Sequence, residues 1–319
     1  MTKTVQVPPF QHEALLYDGI GQFVDSIVPF IREGLEAREQ VLVVVAPAKI
    51  EALQGELGSD AGRVSFADMT SLGRNPARLI PAWRRFIDSR PSLGVIRGVG
   101  EPIYPDRSPA ELVEAQAHET LLNVAFDATP GLKLWCPYDV GALPPEVVAE
   151  ARRSHPIVVA PGGGESPSDT YLHEHPSPDR RDQPLPPPPS HAKEFTFASE
   201  PGELGIVRGI VWQYAVRAGL SRLGVDSLTV AVNEIATNSQ RHGGGRGLLR
   251  LWTQDGSVVC EVSDAGLITG SPLLGRTFPP MEQRRGRGLW LVNQLCDLVQ
   301  IRSGPGGTVI RLHLRGDHD

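Results

Sequence analysis

Residues 161–190 read PGGGESPSDTYLHEHPSPDRRDQPLPPPPS, and no single core can run through such a stretch. Nine of the chain's 29 prolines fall within it. A segment this polar cannot bury enough apolar surface to offset its ordering entropy. The four prolines Pro186 to Pro189 favour a stiff polyproline II run. The stretch reads as an interdomain linker over 161–192, between a domain at 1–160 and a second at 193–319. A length of 319 residues suits two ordinary domains. A proline-rich ligand for a partner's aromatic groove is the alternative.

Composition narrows the class. A net charge of -6 and a pI near 5.9 lack the basic field of general nucleic-acid binding, so no direct nucleic-acid partner is expected. Cys136, Cys260 and Cys296 are widely spaced and form no CxxC, which suits a reducing compartment. The N-terminal MTKTVQVPPFQHEALLYDG lacks the apolar core of a signal peptide. The longest apolar runs, such as VLVVVA at 41–46, are far too short to cross a bilayer. The expectation is a cytoplasmic protein with no membrane partner.

Before the linker, strand-like and helix-like segments alternate. QVLVVVAP, RVSFADM, LGVIRGVG and LKLWCPYD read as strands. FVDSIVPFIREGLEA, NPARLIPAWRRFIDS and SPAELVEAQAHETLLNVAFD read as helices. That order predicts an α/β domain with a mostly parallel sheet covered on both faces. After the linker, two helix patterns come first, at 202–224 and 226–243, with Asp226 or Ser227 as cap of the second and Gly243 as its end. Strand-like GLLRLWTQ and SVVCEVSDAG follow, then a third helix in GRGLWLVNQLCDLV and the closing strands VQIRS and GTVIRLHLR. Helices over one face of a mixed sheet make an α+β sandwich.

VNEIATNSQRHGGG, at 232–245, carries the chemistry of the second domain. Leu228, Ala231, Val232 and Ile235 form the apolar stripe of the helix. Glu234 and Asn238, one turn apart, share a face beside it. An amide oxygen can ligate Mg²⁺, and a carboxylate can orient or deprotonate a hydroxyl. For an isolated pair of this kind, an exposed polar face is the plainer reading. Further signals accompany it in order. Asp264 stands two residues before Gly266 at a strand end, placed to accept a bond from an exocyclic amine. Gly286 and Gly288 open a helix whose N-terminal N–H groups favour phosphate. Thr308 follows a glycine turn on the last strand.

This ordered set resembles the GHKL ATPase superfamily, the fold of gyrase, Hsp90, histidine kinases and MutL, over about 195–315. Glu234 and Asn238 match the N box, Asp264 and Gly266 the first glycine box, and Gly286, Gly288 and Leu289 the second. Thr308 matches the threonine of the closing strand. The resemblance implies ATP and Mg²⁺ as cofactors, with Asn238 on Mg²⁺, Asp264 on the adenine amino group and the glycines flanking a lid over the phosphates. The lid spans 267–285 and holds Pro272, Pro279, Pro280, Arg276, Arg284 and Arg285, with Arg287 between the glycines. Arg241 and His242 beside the N box read as cations favoured at a helix C-terminus.

A proline-rich linker rather than a long amphipathic hairpin precedes the domain, and its opening, one helix, a short GLSRLGVDSL turn and LTVAVNEIATNSQRHG, is similar to the anti-sigma-factor serine kinases. The similarity implies a sigma factor and an anti-anti-sigma (STAS-type) protein as partners. It also implies Glu234 as base towards a Ser or Thr of the latter, and a homodimer as the common assembly. A non-catalytic module that sequesters its partner with ATP bound is the alternative. An orphan histidine kinase phosphorylated on His191 is a third reading.

No P-loop motif occurs anywhere, and GVGEP at 98–102 is too little for a dinucleotide fingerprint. FQHEALLYDG, FIREGLEAREQVLVVVAP, LWCPYD and SHP resemble the MEDS sensory domain over about 10–159. That resemblance implies a RecA-like fold without the P-loop and a small-molecule effector. From the residues themselves, His12, His118, Cys136, Tyr138, Asp139 and His155 are candidates for a sensory pocket. CPYD ends a predicted strand, where open α/β sheets bind ligands. His12, Cys136 and His155 can also serve as metal ligands distant in sequence. Equally, Cys136 can be a small buried apolar group and His155 can shape the turn before Pro156.

Overall fold

The computed structural model describes residues 8–89, 94–172, 183–279 and 286–316. Two compact units divide it, Met1–Arg180 and Arg181–Asp319.

The first unit runs β1 (Gln11–Tyr17), α1 (Gly19–Glu36), β2 (Gln40–Val45), α2 (Pro47–Leu57), β3 (Ser65–Asp68), α3 (Met69–Leu72), α4 (Leu79–Asp88), β4 (Ile96–Gly100), α5 (Pro109–Phe126), β5 (Leu132–Asp139), α6 (Pro145–Ser154), β6 (Ile157–Val159) and β7 (Glu165–Pro167). The sheet order is β3-β2-β4-β5-β1-β6-β7. All pairings are parallel except β6 with β7. The four expected strand segments form β2 to β5. β1 was not among the predicted strands, although it lies between β5 and β6. Its polar His12 and Glu13 break the apolar run, yet both are buried.

Strand period 2 divides that polarity between the faces. In the β1–β5 register Ala14 pairs with Cys136 and Glu13 with Trp135, so His12, Cys136 and Tyr138 share one face. On the other face, Phe23, Ile27, Phe30 and Ile31 of α1 pack with Leu15, Val43, Val45 and Trp135. Trp83 of α4 lies against Gly98, where a Cβ would stand 2.9 Å from the indole ring. The glycines of GVGEP thus seat an aromatic side chain. α5 starts on a capping box: Ser108 Oγ accepts from Glu111 N–H, and Glu111 Oε2 accepts from Ser108 N–H at 2.9 Å.

The second unit runs β8 (Lys193–Ala198), α7 (Glu203–Arg217), α8 (Arg222–His242), β9 (Arg246–Gln254), β10 (Ser257–Asp264), α9 (Gly288–Leu295), β11 (Leu298–Gly304) and β12 (Gly307–Arg315). Its sheet order is β11-β12-β10-β9-β8, antiparallel throughout rather than mixed. The reason is local. Asp255-Gly256, both at positive φ, make the two-residue turn that folds β9 onto β10. Val258, Cys260 and Val262 face a core shared with α7, α8 and α9. Glu261 and Arg311 face the other way and pair at 2.6 Å.

Two further expectations are corrected. Ser221, not Asp226 or Ser227, caps α8: its Oγ accepts from Gly224 N–H at 3.2 Å, so the helix starts earlier. The stretch at 161–192 is not free along its length. Residues 165–167 form β7 in the first sheet. Arg302 donates to Gln183 O at 3.0 Å and Arg311 to Pro186 O at 2.7 Å, so the later prolines lie on the polar face of the second sheet. Residues 173–182 lie outside the described residues.

Ser221→Ala should lower the stability of the second unit by about 1 kcal/mol, read by denaturant unfolding, whereas Ser227→Ala should leave it within about 0.5 kcal/mol.

Candidate functional site

The C-terminal half of α8 forms one wall of a cavity of about 700 Å³. Leu228, Ala231, Val232 and Ile235 are buried against the sheet, which turns Glu234 and Asn238 into the cavity. Asp264 comes from the end of β10 and Thr308 from the start of β12, which pair in register. Gly266 follows β10, and Gly286, Gly288 and Leu289 come from the entry to α9. All eight residues singled out in this half of the sequence therefore line one cavity.

Asp264 is held from two sides. Its Oδ2 accepts from Ser239 Oγ at 2.5 Å, and its Oδ1 from Gly266 N–H at 2.8 Å. Gly243 ends α8 directly against this carboxylate, where any Cβ would collide with it. Gly266 is equally confined: a Cβ there would lie 2.7 Å from His242 O. Thr308 Oγ1 donates to Gly266 O at 2.8 Å and meets Ser303 Oγ at 2.7 Å. Ser303 Oγ also accepts from Ile268 N–H at 2.8 Å. A chain of short bonds thus fixes the β10 turn from α8, β11 and β12. Across the cavity, a Cβ on Gly288 would lie 2.9 Å from Glu234 Oε2, so glycine lets α9 approach the acid.

Sequence reading missed Ser239, Ser303 and Gly243 as parts of the site. Ser239 was visible one position after Asn238, but only the tertiary contact gives it a partner. Arg241, His242 and Arg287 are exposed at the rim. Arg276, expected on a lid, is buried. Pro280, Arg284 and Arg285 lie outside the described residues. His191 sits in an exposed turn before β8, not on a helix.

The cavity suits a nucleotide. Ile235, Ile268 and Ile310 supply apolar wall for a base, and Asp264 is the pinned acceptor among them. Asn238 and Glu234 line the other wall, and their amide and carboxylate oxygens can ligate a cation.

In the first unit the six candidates separate. His12, Cys136 and His155 converge, together with Glu119 of α5, which the sequence did not single out. His12 Nε2 is 3.2 Å and His155 Nε2 3.1 Å from Glu119 Oε2, and His12 Nε2 is 3.3 Å from Cys136 Sγ. Tyr138 packs edge-on against His155 with centroids 5.6 Å apart. Burial, then the neighbouring His155, lowers the His12 pKa to about 4. Burial pushes Glu119 up, but the bonds and charge of the two histidines outweigh it and hold the carboxyl below its usual range. Burial and the Glu119 charge push the Cys136 thiol up.

His118 and Asp139 are not in this group. His118 is buried on α5. Asp139 Oδ1 accepts from Gly141 N–H at 3.1 Å and Gly19 N–H at 3.4 Å, closing the turn after β5 onto the start of α1. Beside it, at the C-terminal strand ends, Tyr17 donates to Glu101 at 2.6 Å and Lys49 donates to both at 2.5 Å. No motif marked this buried triad.

Residues 11–156 match the family described as MEDS, the methanogen/methylotroph DcmR sensory domain. Residues 197–314 match the histidine kinase-like ATPase domain. The first unit is thus a MEDS domain and the second a histidine kinase-like ATPase domain. No curated protein matches the chain. A crystal structure of the RsbU and RsbW domains of Rv1364c from Mycobacterium tuberculosis aligns at 20% identity with a TM-score of 0.30. That alignment covers 40% of this chain and 33% of the other, so the match spans about a third of that chain's length. Among the described residues, no helix is long and apolar enough to cross a membrane.

Ser239→Ala removes one of the two bonds that hold Asp264. It should cost roughly 1–2 kcal/mol of stability in the second unit, measured by denaturant unfolding.

Proposed function

We propose that this chain, a MEDS sensory unit followed by a histidine kinase-like ATPase unit, is an anti-sigma regulator that binds ATP with Mg²⁺. The single observation that carries the nucleotide reading is the convergence of Glu234, Asn238, Asp264, Gly266, Gly288 and Thr308 on one cavity. The partner reading rests on the sequence: no phosphoacceptor hairpin precedes the ATPase unit, and its opening is similar to the anti-sigma-factor serine kinases. The partners are then a sigma factor and an anti-anti-sigma protein of STAS type, and the protein works in the cytoplasm.

When bound, ATP supplies the phosphoryl group and Mg²⁺ offsets its charge. The chain's own residues do the rest. Asp264, pinned by Ser239 and Gly266, accepts from the adenine amino group. Asn238 offers its amide oxygen to the cation. Glu234 takes the proton of the partner's Ser or Thr hydroxyl as general base. Gly286 and Gly288 keep side chains out of the phosphate region and leave the first N–H groups of α9 open to it. Arg241, His242 and Arg287 at the rim give a basic border that favours an anionic ligand. The MEDS unit takes the effector that sets whether the ATPase unit holds its partner.

The full chain should bind ATP in a Mg²⁺-dependent manner by titration calorimetry. Asp264→Asn and Asn238→Ala should each weaken binding at least about 10-fold, the loss of one charge-assisted contact. A folded wild-type chain that binds no ATP would sink the reading. Glu234→Gln should keep ATP binding but lower phosphorylation of a STAS-type partner about 100-fold or more. If wild type and variant both hold sigma factor and neither transfers phosphate, the protein is a sequestering module instead. Acid-labile label on His191 would return the histidine kinase reading.

A further inference from the structure

We infer that the MEDS unit holds a zinc-class divalent transition metal on His12, Glu119, Cys136 and His155. The four residues come from β1, α5, β5 and the end of α6, and all are essentially inaccessible to solvent. One ligand atom from each lies within 4.8 Å of every other. The closest edges are 3.1, 3.2 and 3.3 Å. A tetrahedral ion with bonds of about 2.0–2.3 Å has ligand–ligand edges of roughly 3.3–3.7 Å. Those three edges are within a few tenths of an ångström of the required length, and the other three, none longer than 4.8 Å, need side-chain movement of up to about an ångström.

Hydrogen accounting points the same way. Asn123 Nδ2 donates to Ser154 O at 2.8 Å, which turns its Oδ1 toward His12 Nδ1 at 3.0 Å. A carbonyl oxygen only accepts, so His12 carries its hydrogen on Nδ1. His155 Nδ1 is likewise held by Ala151 O at 2.8 Å. With each Nδ1 tied to a carbonyl oxygen, both rings turn Nε2 toward the same Glu119 oxygen. In the neutral form of the rings, two imidazole lone pairs and a carboxylate repel one another, and a cation between them removes that repulsion. Outer bonds that fix Nδ1–H and free Nε2 are what metal-binding histidines commonly have.

The donor set chooses the ion. A thiolate and two imidazoles favour Zn²⁺ over Mg²⁺ or Ca²⁺, which take oxygen ligands. On binding, the Cys136 S–H bond breaks, a sulfur–metal bond forms and the proton leaves to solvent. Four protein ligands leave no open coordination position, so the ion ties four elements together rather than activating water.

The test uses the full chain without an affinity tag and without nucleotide. Zn²⁺ is added and the protein passed through gel filtration, then its metal content is measured. One equivalent per chain is expected. The Co²⁺-loaded wild type should show thiolate-to-cobalt charge-transfer absorption, which C136S lacks. Zn²⁺ should also raise the unfolding midpoint of wild type and leave that of C136S unchanged. N123A, which frees His12 to rotate, should weaken Zn²⁺ binding about 10–100-fold. A folded wild-type chain that retains no Zn²⁺, or Co²⁺ binding without a thiolate band, would overturn the inference. Equal retention by C136S and H155A would overturn it too. The cobalt spectrum of wild type decides the matter even if a variant fails to fold.

Discussion

The ATPase unit depends on how closely the end of α8 can approach the end of β10. Ser239 on the helix bonds Asp264 on the strand, and Gly243 lets the helix terminate against that carboxylate. Any side chain at 243 would push the two apart. With them would go the turn at Gly266 and the Thr308 bond that closes it. The apolar stripe of α8 supplies the force behind this approach, since Leu228, Ala231, Val232 and Ile235 are buried in the core the helices share with the sheet. Burial of that stripe, at roughly 1.5–3 kcal/mol for each large side chain, also orients Glu234 and Asn238. Packing and site geometry are one arrangement.

The polar face of the same sheet is not left to water. Glu261 and Arg311 are buried there as a pair, and Arg311 also bonds Pro186 O and stacks on Trp252. A proline-rich segment is suited to that position. It has few N–H groups of its own to satisfy, and its carbonyls remain free to accept from arginines. The composition that reads as a linker therefore partly serves as cover.

The MEDS unit uses strand alternation differently. β1 and β5 carry polar residues on both faces of a sheet that is buried on both. One face puts Glu13 against Trp135 and Lys133. The other gathers His12, Cys136, Tyr138 and His155 around Glu119. Buried polar groups require partners; here they come from elements far apart in sequence, and Glu119 Oε1, Tyr138 OH and His155 Nε2 are left without a hydrogen bond among the described residues. Lys49, Tyr17 and Glu101 do the same at the strand ends, where a P-loop is absent. That triad bonds to itself.

Much of this was legible in sequence because it is periodic or local. Helical spacing placed Glu234 and Asn238 on one face of α8. The ordered glycines placed the two loops, and the apolar run of β2 with the strand-like segments after it marked β2 to β5. β1 escaped because His12 and Glu13 mimic an exposed strand edge. The start of α8 escaped because Ser221, Asp226 and Ser227 all offer a capping oxygen, and only the hydrogen bond to Gly224 chooses among them. Glu119 escaped because it is one of three acids on α5, a helix buried on most sides, and carries no signal until its neighbours are known. Sequence by itself determined what depends on covalent spacing: most element types, the two-unit division and the residue types that line the cavity beside α8. Tertiary structure alone decided what depends on distance between remote segments. Those are the Ser239–Asp264 bond, the seating of the prolines on the second sheet, and the buried four-residue cluster, since contacts across 25 to 125 residues have no period to read.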